Sequence, residues 1–441
     1  MATGQETQLE DLRKHYECLE KRYRASPDCR YATLVVPNGN ASQPFHRWFH
    51  LKEGFSSDLL RQVLADCGLA ERKDLVLLDP FAGVGTAIVS GLQLDGHVEA
   101  HGIERNPFLH LVAETKVRAM TEELPELRKF FGDVVRAVEV NAVSPDAVPA
   151  LSTFSNSSFF RPSPLSELLK LRRSIVETPG PDVAKALALV ALGASIEPCS
   201  RLRRDGRALR YEPAKSCADP LDHFRTRIGE MLQDVSESRS ASRGFIHLGD
   251  GRIPASVLPA LKADLVVFSP PYPNNIDYTE VYKLENWFLG FIGTSQQFRE
   301  QRLLTLRSHP SVRFPETYGA SSNGYGPIFE RLLHPLLTVA DGMKGAKWRA
   351  RLIRGYFDDM FETLSNVREF LADDGHLVYV VGNSLHGAGE KRLLIAADVM
   401  IARLAEIAGF TVECIKVARQ PRRRRHASTL LRESVVFLRK R

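Results

Sequence analysis

Two short segments of the sequence carry residue types that could hold a cofactor and a substrate together. The first is Asp79-Pro-Phe-Ala-Gly-Val-Gly-Thr86 and the second is Ser269-Pro-Pro-Tyr272, and each follows an apolar, β-prone run. Glycines remove Cβ atoms where a ligand must approach the backbone, whereas paired prolines fix φ and present a rigid carbonyl. The first segment therefore predicts a loop for a nucleoside cofactor, and the second predicts a clamp for the amino group of a flat base.

Three carboxylates stand at the ends of predicted strands around the first segment. Asp79 ends the strand that starts at Leu75, Glu104 ends the strand that starts at Val98, and Asp250 follows a strand that ends at Leu248. Open α/β sheets bind ligands at the carboxyl ends of their strands. A carboxylate at Glu104 could accept both hydroxyls of a ribose, and Asp250 could accept a hydrogen bond from an adenine amino group.

Other chemistries that use similar residues are disfavoured. The dinucleotide pattern GxGxxG is incomplete, because its third glycine position after Gly83 and Gly85 is Ile88, and no Gly-Lys-Ser/Thr of a phosphate-binding loop follows. Cys199, in the sequence Pro198-Cys199, could suggest a nucleophile that attacks a base ring. It lies between helical patterns rather than on a strand-end loop, so a structural role is predicted for it.

The second segment suits an exocyclic amine, whose nitrogen is a poor nucleophile because its lone pair is delocalised into the ring. Ser269 can accept one amine hydrogen and the carbonyl of Pro270 the other, while Pro271 keeps that carbonyl rigid. The ring of Tyr272 could stack on the base, a contact worth ~1–3 kcal/mol in single-strand binders. Positioning of this kind can supply up to roughly 7–11 kcal/mol of rate enhancement, and no covalent intermediate is needed.

The order of predicted elements gives an α/β fold with a parallel, doubly wound sheet that is interrupted by two inserts. A strand at Leu75–Asp79, a helix at Thr86–Leu94 and a strand at Val98–Glu104 form a βαβ unit. The predicted segments are an N-terminal helix and linker (1–44), the cofactor half of the core (45–110), a helical insert as candidate target-recognition region (111–240), the core with the base motif (241–294), a second insert (295–355), and the end of the core with a basic segment (356–441).

Charge is unevenly distributed along the 441 residues, whose net charge is +6. Residues 416–441 contain ten Lys or Arg and one Glu, which is +9, so the preceding residues sum to −3. Candidate contacts to nucleic-acid phosphates are Arg422, Arg423, Arg424 and Arg425 in that segment, and Arg203 and Arg204 in a second cluster. The alternative for both clusters is an ordinary solvated face.

The remaining composition is that of a cytoplasmic protein. No apolar run reaches the length of a membrane span, no signal peptide precedes the chain, and the six cysteines form no CxxC pair. We therefore expect a reducing compartment, no metal site and no membrane partner.

The motifs DPFAGVGT, GIERNP (102–107), GDGR (249–252) and SPPY, in this order, resemble those of amino-group DNA methyltransferases that use S-adenosylmethionine. The resemblance also covers FHRWFHLKEGFSSDLL (45–60) and GHLVYVVGNS (375–384). It implies a Rossmann-like class I methyltransferase core with a mostly parallel sheet of the seven-stranded type and helical inserts. The cofactor residues that it implies are Phe55, Ser56, Asp79, Pro80, Phe81, Gly83, Gly85, Thr86, Glu104, Asn106 and Asp250, and the catalytic ones are Ser269, Pro270, Pro271 and Tyr272.

The resemblance implies methyl transfer to a base flipped out of double-stranded DNA, with N4 of cytosine favoured because the first motif residue is Ser269. N6 of adenine is the nearest alternative. An RNA guanine-N2 methyltransferase and a catalytically silent nucleic-acid-binding protein remain further alternatives. A nucleoid-associated location and a cognate restriction or defence partner are expected from the same resemblance.

Overall fold

A computed structural model describes residues 2–121, 126–150, 157–205, 209–237, 240–274, 276–319, 325–343, 345–388, 391–420 and 429–441. The strands in these ranges are β1 Ser26–Pro27, β2 Asp74–Asp79, β3 His97–Glu104, β4 Leu202–Arg204, β5 Leu209–Tyr211, β6 Arg243–Leu248, β7 Ala263–Phe268, β8 Leu371–Gly382, β9 Ser384–Ala388, β10 Lys391–Ile395, β11 Phe410–Arg419 and β12 Glu433–Lys440. The α-helices are α1 Ala2–Arg22, α2 Leu59–Asp66, α3 Thr86–Leu92, α4 Pro107–Thr121, α5 Leu127–Glu139, α6 Pro162–Glu177, α7 Asp182–Ile196, α8 Pro220–Glu237, α9 Tyr278–Val281, α10 Lys283–Phe288, α11 Ser295–Leu303, α12 Gly326–Asp341, α13 Ala346–Arg368 and α14 Ala397–Ile407.

The main sheet has the strand order β1-β11-β12-β8-β7-β2-β3-β6. All neighbouring pairs are parallel except those of β12, which runs antiparallel to both β8 and β11. The two-residue β1 only extends one edge, so the sheet is a seven-stranded one with a short addition. The predicted α/β class with a mostly parallel sheet is confirmed.

The central strands are apolar on both faces because helices cover both sides of the sheet. In β2, Leu77 packs into the core on the side of α2–α4, whereas its neighbour Leu78 packs into the core on the side of α12–α14. The same alternation occurs in β7, where Val267 and Phe268 face opposite sides. This alternation is the period-two pattern of a strand buried between two helical layers.

The pairing of β2 with β7 positions the two sequence motifs. These strands are parallel neighbours, with Leu78 opposite Val266 in the ladder. Their carboxyl ends therefore lie at the same edge, so DPFAGVGT and SPPY leave the sheet side by side. After β2 the chain adds β3 and β6 on one side of β2, and it then crosses back to form β7 on the other side. Open α/β sheets bind ligands at such a reversal of the strand order, outside the carboxyl ends of the strands.

Several element bounds differ from the sequence predictions. The helix predicted within residues 1–44 spans Ala2–Arg22, and α3 ends at Leu92 rather than Leu94. Strand β8 is long, Leu371–Gly382, because pairing with β7 and β12 continues the ladder past its apolar centre. Among the described residues, no helix is both long enough and apolar enough to cross a bilayer.

A buried carboxylate joins the end of β8, the start of β12 and helix α14. The Asp398 side chain is fully buried and accepts hydrogen bonds from Arg432 Nε, Ser434 Oγ (both 2.8 Å) and Asn383 Nδ2 (2.7 Å). Arg432 is itself 5% exposed. A buried charge of this kind is tolerated only while it stays paired and hydrogen-bonded.

Replacing Arg432 by Met is therefore expected to lower the free energy of unfolding by about 3–5 kcal/mol, because Asp398 loses its charged partner in the interior. Urea unfolding followed by circular dichroism would measure this. Arg439→Met is the matched control, since Arg439 is half exposed and lies 3.9 Å from Glu413; its loss should stay below about 1 kcal/mol. Equal losses in the two variants would contradict the role given to Asp398.

Candidate active site

One pocket at the carboxyl edge of the sheet contains parts of both motifs. It has about 980 Å³ of empty space, including a mouth open to solvent. The motif residues that line it are Pro80, Phe81, Gly83, Glu104, Asn106, Asp250, Ser269, Pro270 and Pro271. The parallel pairing of β2 and β7 thus brings together two segments that are almost two hundred residues apart in sequence.

Glu104 joins the glycine loop to the turn after β3. Its carboxylate accepts hydrogen bonds from the backbone N–H of Gly83 (2.8 Å) and of Asn106 (2.6 Å). Burial raises the pKa of Glu104 to about 7, although these N–H groups and Arg105 favour its charged form. The carboxylate therefore holds two sides of the pocket wall in place and still lines the cavity.

Two further buried groups support the loop from behind. Asp79 accepts a hydrogen bond from the N–H of Phe81 (2.9 Å). Burial raises the pKa of Asp79 to about 8; the hydrogen bond lowers this pKa, and the negative charge of Glu104 raises it further. Lys116, from α4, is fully buried and donates to the carbonyl of Val84 (3.0 Å). Burial lowers the pKa of Lys116 to about 7. The loop conformation thus depends on buried ionisable groups beneath it.

The GDGR turn closes the other side of the pocket. Asp250 pairs with Arg252 (2.7 Å) and lies 3.6 Å from Arg105. Despite its burial, the hydrogen bonds and charge of Arg252 lower the pKa of Asp250, so it is a charged acceptor at the pocket wall. A Cβ at Gly251 would collide with the carbonyl oxygen of Pro80, which explains why this close approach needs glycine.

Within the base motif, Ser269, Pro270 and Pro271 line the pocket. Ser269 Oγ lies 3.2 Å from the carbonyl of Val380 and 3.4 Å from the hydroxyl of Tyr272. A serine that donates to a carbonyl keeps its own lone pairs available as acceptors. Its position therefore suits an acceptor for an amine hydrogen.

The stacking role predicted for Tyr272 does not fit the structure. The ring is absent from the pocket lining and packs beneath it, where a Cβ on Gly382 would lie 2.7 Å from its Cε2. The Tyr272 side chain is partly buried and packs against the core cluster on the side of α12–α14. Tyr278, in the short helix that follows the motif, lines the pocket instead.

Five residues predicted as cofactor contacts lie outside the pocket lining, namely Phe55, Ser56, Asp79, Gly85 and Thr86. Phe55 is in the hydrophobic core, and Ser56 Oγ donates to the carbonyl of Asn38 (2.9 Å). Their segment still reaches the cavity through Leu51 and Glu53.

Other pocket residues were missed by the sequence analysis. They include Glu53, Arg105, Thr279, Gln301 and His309. Burial raises the pKa of Glu53, which accepts a hydrogen bond from Tyr282 (2.7 Å). Gln301 and His309 come from the second insert, and no short motif in the sequence marks them. Among the described residues, no cluster of His, Cys, Asp and Glu is arranged to hold a metal ion.

The predicted phosphate contacts have different surroundings. Arg204 is only 9% exposed and pairs with Glu285 and Glu197, so its prediction as a nucleic-acid contact is wrong: its guanidinium is used inside the protein. Arg203 is exposed and pairs with Glu212 (2.7 Å). Arg422, Arg423, Arg424 and Arg425 lie outside the described residues.

Cys199, for which the sequence predicts a structural role, is buried, and burial raises the pKa of its thiol to about 12.

The mostly parallel sheet with a pocket at its carboxyl edge is a Rossmann-like α/β fold. No protein-family model matches the chain. It is 25% identical over 459 residues to the Type II methyltransferase M.AvaI of Nostoc sp. (strain PCC 7120 / SAG 25.82 / UTEX 2576), covering 93% of this chain and 88% of that protein. It is also 25% identical to the Type II methyltransferase M.BsoBI of Geobacillus stearothermophilus, covering 86% and 81%.

The chain is thus related over most of its length to Type II methyltransferases, and the predicted relationship to methyltransferases is confirmed. Among solved structures, the rRNA methyltransferase aviRa from Streptomyces viridochromogenes aligns with 10% identity and a TM-score of 0.32, covering 94% of this chain and 96% of that one. The glycopeptide N-methyltransferase MtfA aligns with 9% identity and a TM-score of 0.28, covering 87% of each chain. Likenesses this distant carry no argument about substrate.

The raised pKa of Asp79 predicts a pH-dependent loss of stability. Because its folded pKa is about 8 and its unfolded value is near ~4, the folded state binds the extra proton between these values, so stability falls as pH rises through this window. Asp79→Asn should reduce that fall, which urea unfolding at pH 5 and pH 8 would measure. Asp74→Asn, at the exposed start of the same strand, is the control and should keep the wild-type pH dependence. An unchanged pH dependence in Asp79→Asn would contradict the assignment.

Proposed function

We propose that this protein transfers a methyl group from S-adenosylmethionine to the exocyclic amino group of a DNA base, with N4 of cytosine as the favoured target. The observation that carries this proposal is the single pocket lined by the glycine loop, the strand-end carboxylates and Ser-Pro-Pro. The similarity to two Type II methyltransferases over most of the chain supports it. A restriction-modification setting follows from the same similarity and is part of the proposal.

The cofactor side of the pocket fits a nucleoside with hydroxyl and amino groups. Glu104 and Asp250 are carboxylate acceptors at adjacent strand ends, suited to the ribose hydroxyls and the adenine amine respectively. Asn106 Nδ2 is a buried donor with no hydrogen-bond partner among the described residues. Gly83 has a φ of +55°, a left-handed backbone conformation that favours glycine at this position of the loop. S-adenosylmethionine supplies an activated methyl group on a sulfonium when it is bound.

On the substrate side, the chain's own groups position the amine. Ser269 Oγ and the carbonyl of Pro270 accept the two amine hydrogens, which favours the tetrahedral nitrogen whose lone pair points at the methyl group. The two prolines prevent the carbonyl from turning away. Since Tyr272 does not line the pocket, Tyr278 is the aromatic residue near the base motif that we assign to contact the base.

A base in a duplex cannot reach this pocket while it is paired, because its amine is hydrogen-bonded inside the helix. We therefore infer that the target base is flipped out of double-stranded DNA before transfer. Ser269 at the first motif position favours cytosine N4, and adenine N6 is the alternative for the same geometry. Guanine-N2 in RNA is a weaker candidate, and the intact pocket argues against a catalytically silent binding protein.

Product analysis tests the proposal directly. The protein is incubated with labelled S-adenosylmethionine and unmethylated genomic DNA, which is then digested to nucleosides. Label in N4-methylcytosine would support the full proposal, whereas label in N6-methyladenine would keep the chemistry and change the base. Label in tRNA or rRNA with none in DNA would overturn the DNA assignment.

Ser269→Ala is expected to lower turnover by about 100-fold, the scale of losing one positioned polar group that acts in a transition state. Its affinity for S-adenosylmethionine should change by less than about threefold, because Ser269 contacts the base rather than the cofactor. Single-turnover methylation and titration calorimetry would separate the two effects. Ser256→Ala, at an exposed serine that bonds only to the carbonyl of Ile253, is the control. Near-normal turnover of Ser269→Ala would refute the assigned role.

A further prediction concerns the basic C-terminal segment. Replacing Arg422–Arg425 by Gln should flatten the salt dependence of DNA binding. The slope of the logarithm of the binding constant against the logarithm of the salt concentration should become shallower by roughly 0.9 for each phosphate that these arginines neutralise in the wild type. Fluorescence anisotropy at several salt concentrations would measure it. Arg203→Gln is the comparison, since Arg203 already pairs with Glu212 and should contribute little. An unchanged slope would contradict phosphate contacts and would indicate that these four arginines form an ordinary solvated face.

A further inference from the structure

We propose that a groove between the loop 307–319 and the start of α13 holds nucleotides adjacent to the flipped base in the same DNA strand. This flanking groove is lined by His309, Arg313, Phe314, Tyr318, Trp348 and Arg351. It rests on the proposed function, because it gives the base pocket a continuation for the rest of the strand. It also moves target contact from the first insert, where the sequence analysis placed it, to the second.

The first observation is position. The second insert supplies Gln301, Leu304, Thr305, Leu306, Ser308 and His309 to the base pocket, whereas none of the described residues of 111–240 lines it. His309 lines both the base pocket and the flanking groove. The two cavities therefore share a wall, and a strand that leaves the pocket at this side enters the groove.

The second observation is chemistry. Aromatic rings and cations line the groove together, which is the combination that binds single-stranded nucleic acid by stacking and phosphate attraction. Residues 345–354 (GAKWRARLIR) at the start of α13 carry four Lys or Arg and no acidic residue. Of these four, Arg351 lines the groove.

The third observation is that the groove is held in shape. Arg307 bonds to Asp358 (2.8 Å) and Asp359 (2.7 Å) of α13 and to the carbonyl of Thr317 (2.7 Å). These bonds fix both ends of the loop on the helix. Trp348 lies beneath the guanidinium of Arg349, with Cζ 4.5 Å from the ring centroid. The rings that would stack on bases are therefore positioned before DNA arrives, which lowers the entropy cost of binding.

The competing basic surface in the first insert has a different character. Arg203 pairs with Glu212, Arg210 with Asp205, and Arg204 is buried against Glu285. In the groove, by contrast, Arg313 is exposed and has no ion-pair partner among the residues that the structure describes. Arg351 pairs with Glu316 (2.5 Å). Arg313 is therefore the groove cation without an acidic partner among the described residues, and it favours the groove as the surface that contacts phosphates.

Tryptophan fluorescence gives a test that does not depend on catalysis. The chain has three tryptophans, and Trp48 and Trp287 are each only 1% exposed, so Trp348 is the one that DNA can reach. Fragments of unmethylated genomic DNA should quench the fluorescence of the wild type, and Trp348→Phe should remove that quenching. Trp287→Phe is the matched control and should keep it. Quenching that persists in Trp348→Phe would overturn the proposal.

Kinetics give the second test. Trp348→Ala should raise the DNA concentration for half-maximal methylation by about 5- to 100-fold, the effect of losing one stacked base, and leave the affinity for S-adenosylmethionine unchanged. Tyr211→Ala, an exposed aromatic of the first insert (42% exposed), should change neither. Equal losses in the two variants, or none in Trp348→Ala, would refute the groove.

The two proposals can fail separately. Quenching that is lost in Trp348→Phe, in a protein that methylates no DNA, would support the groove and overturn the proposed reaction. Normal DNA methylation, with the DNA concentration for half-maximal methylation unchanged in Trp348→Ala, would support the proposed reaction and overturn the groove. Quenching by tRNA but not by DNA would overturn the groove as a DNA surface. Circular dichroism melting of each variant, compared with the wild type, confirms that the measured protein is folded.

Discussion

The parallel ladder between β2 and β7 is the constraint on which the site depends. Two strands that pair in parallel end at the same edge, so the loops that follow them must meet. Leu78 opposite Val266 sets that register, and slipping it by one residue would exchange the residues that pack against the two helical layers. The glycine loop and Ser-Pro-Pro need no direct contact with each other, because the sheet beneath them fixes their separation.

The pocket combines this rigid support with a costly electrostatic arrangement. Asp79, Glu104 and Lys116 are buried beneath or beside the glycine loop, and burial moves each pKa towards the neutral form. Groups with perturbed pKa values in a cleft are typical of functional sites. Folding alone would favour apolar residues at such positions. Their presence is explained if the loop must offer acceptors and fixed carbonyls to a polar ligand.

The sequence was sufficient to predict the order of the core elements, whereas the part of the pocket that comes from the second insert carried no motif. Apolar runs that end in Asp79 or precede Ser269 are strong local signals, and each is a central strand. Side-chain direction could not be predicted in the same way. Tyr272 and Tyr278 are both aromatic residues close to the prolines, and only the packing against Gly382 shows which one is in the core. The charge of Arg204 likewise gave no sign of its burial against Glu285, since that partner is 81 residues away.

The two inserts leave the sheet at the same edge and differ in what they contribute to the pocket. The first leaves the core after β3 and returns at β6, the edge strand of the sheet, and its helices pack around α4 and α7, beside the sheet. The second leaves after the base motif that follows β7 and returns at β8, the neighbour of β7. Because it begins shortly after Ser-Pro-Pro, its first residues lie beside the substrate side of the pocket, where Gln301 and His309 line the cavity. The second insert is therefore placed to contact both the base and the strand that carries it.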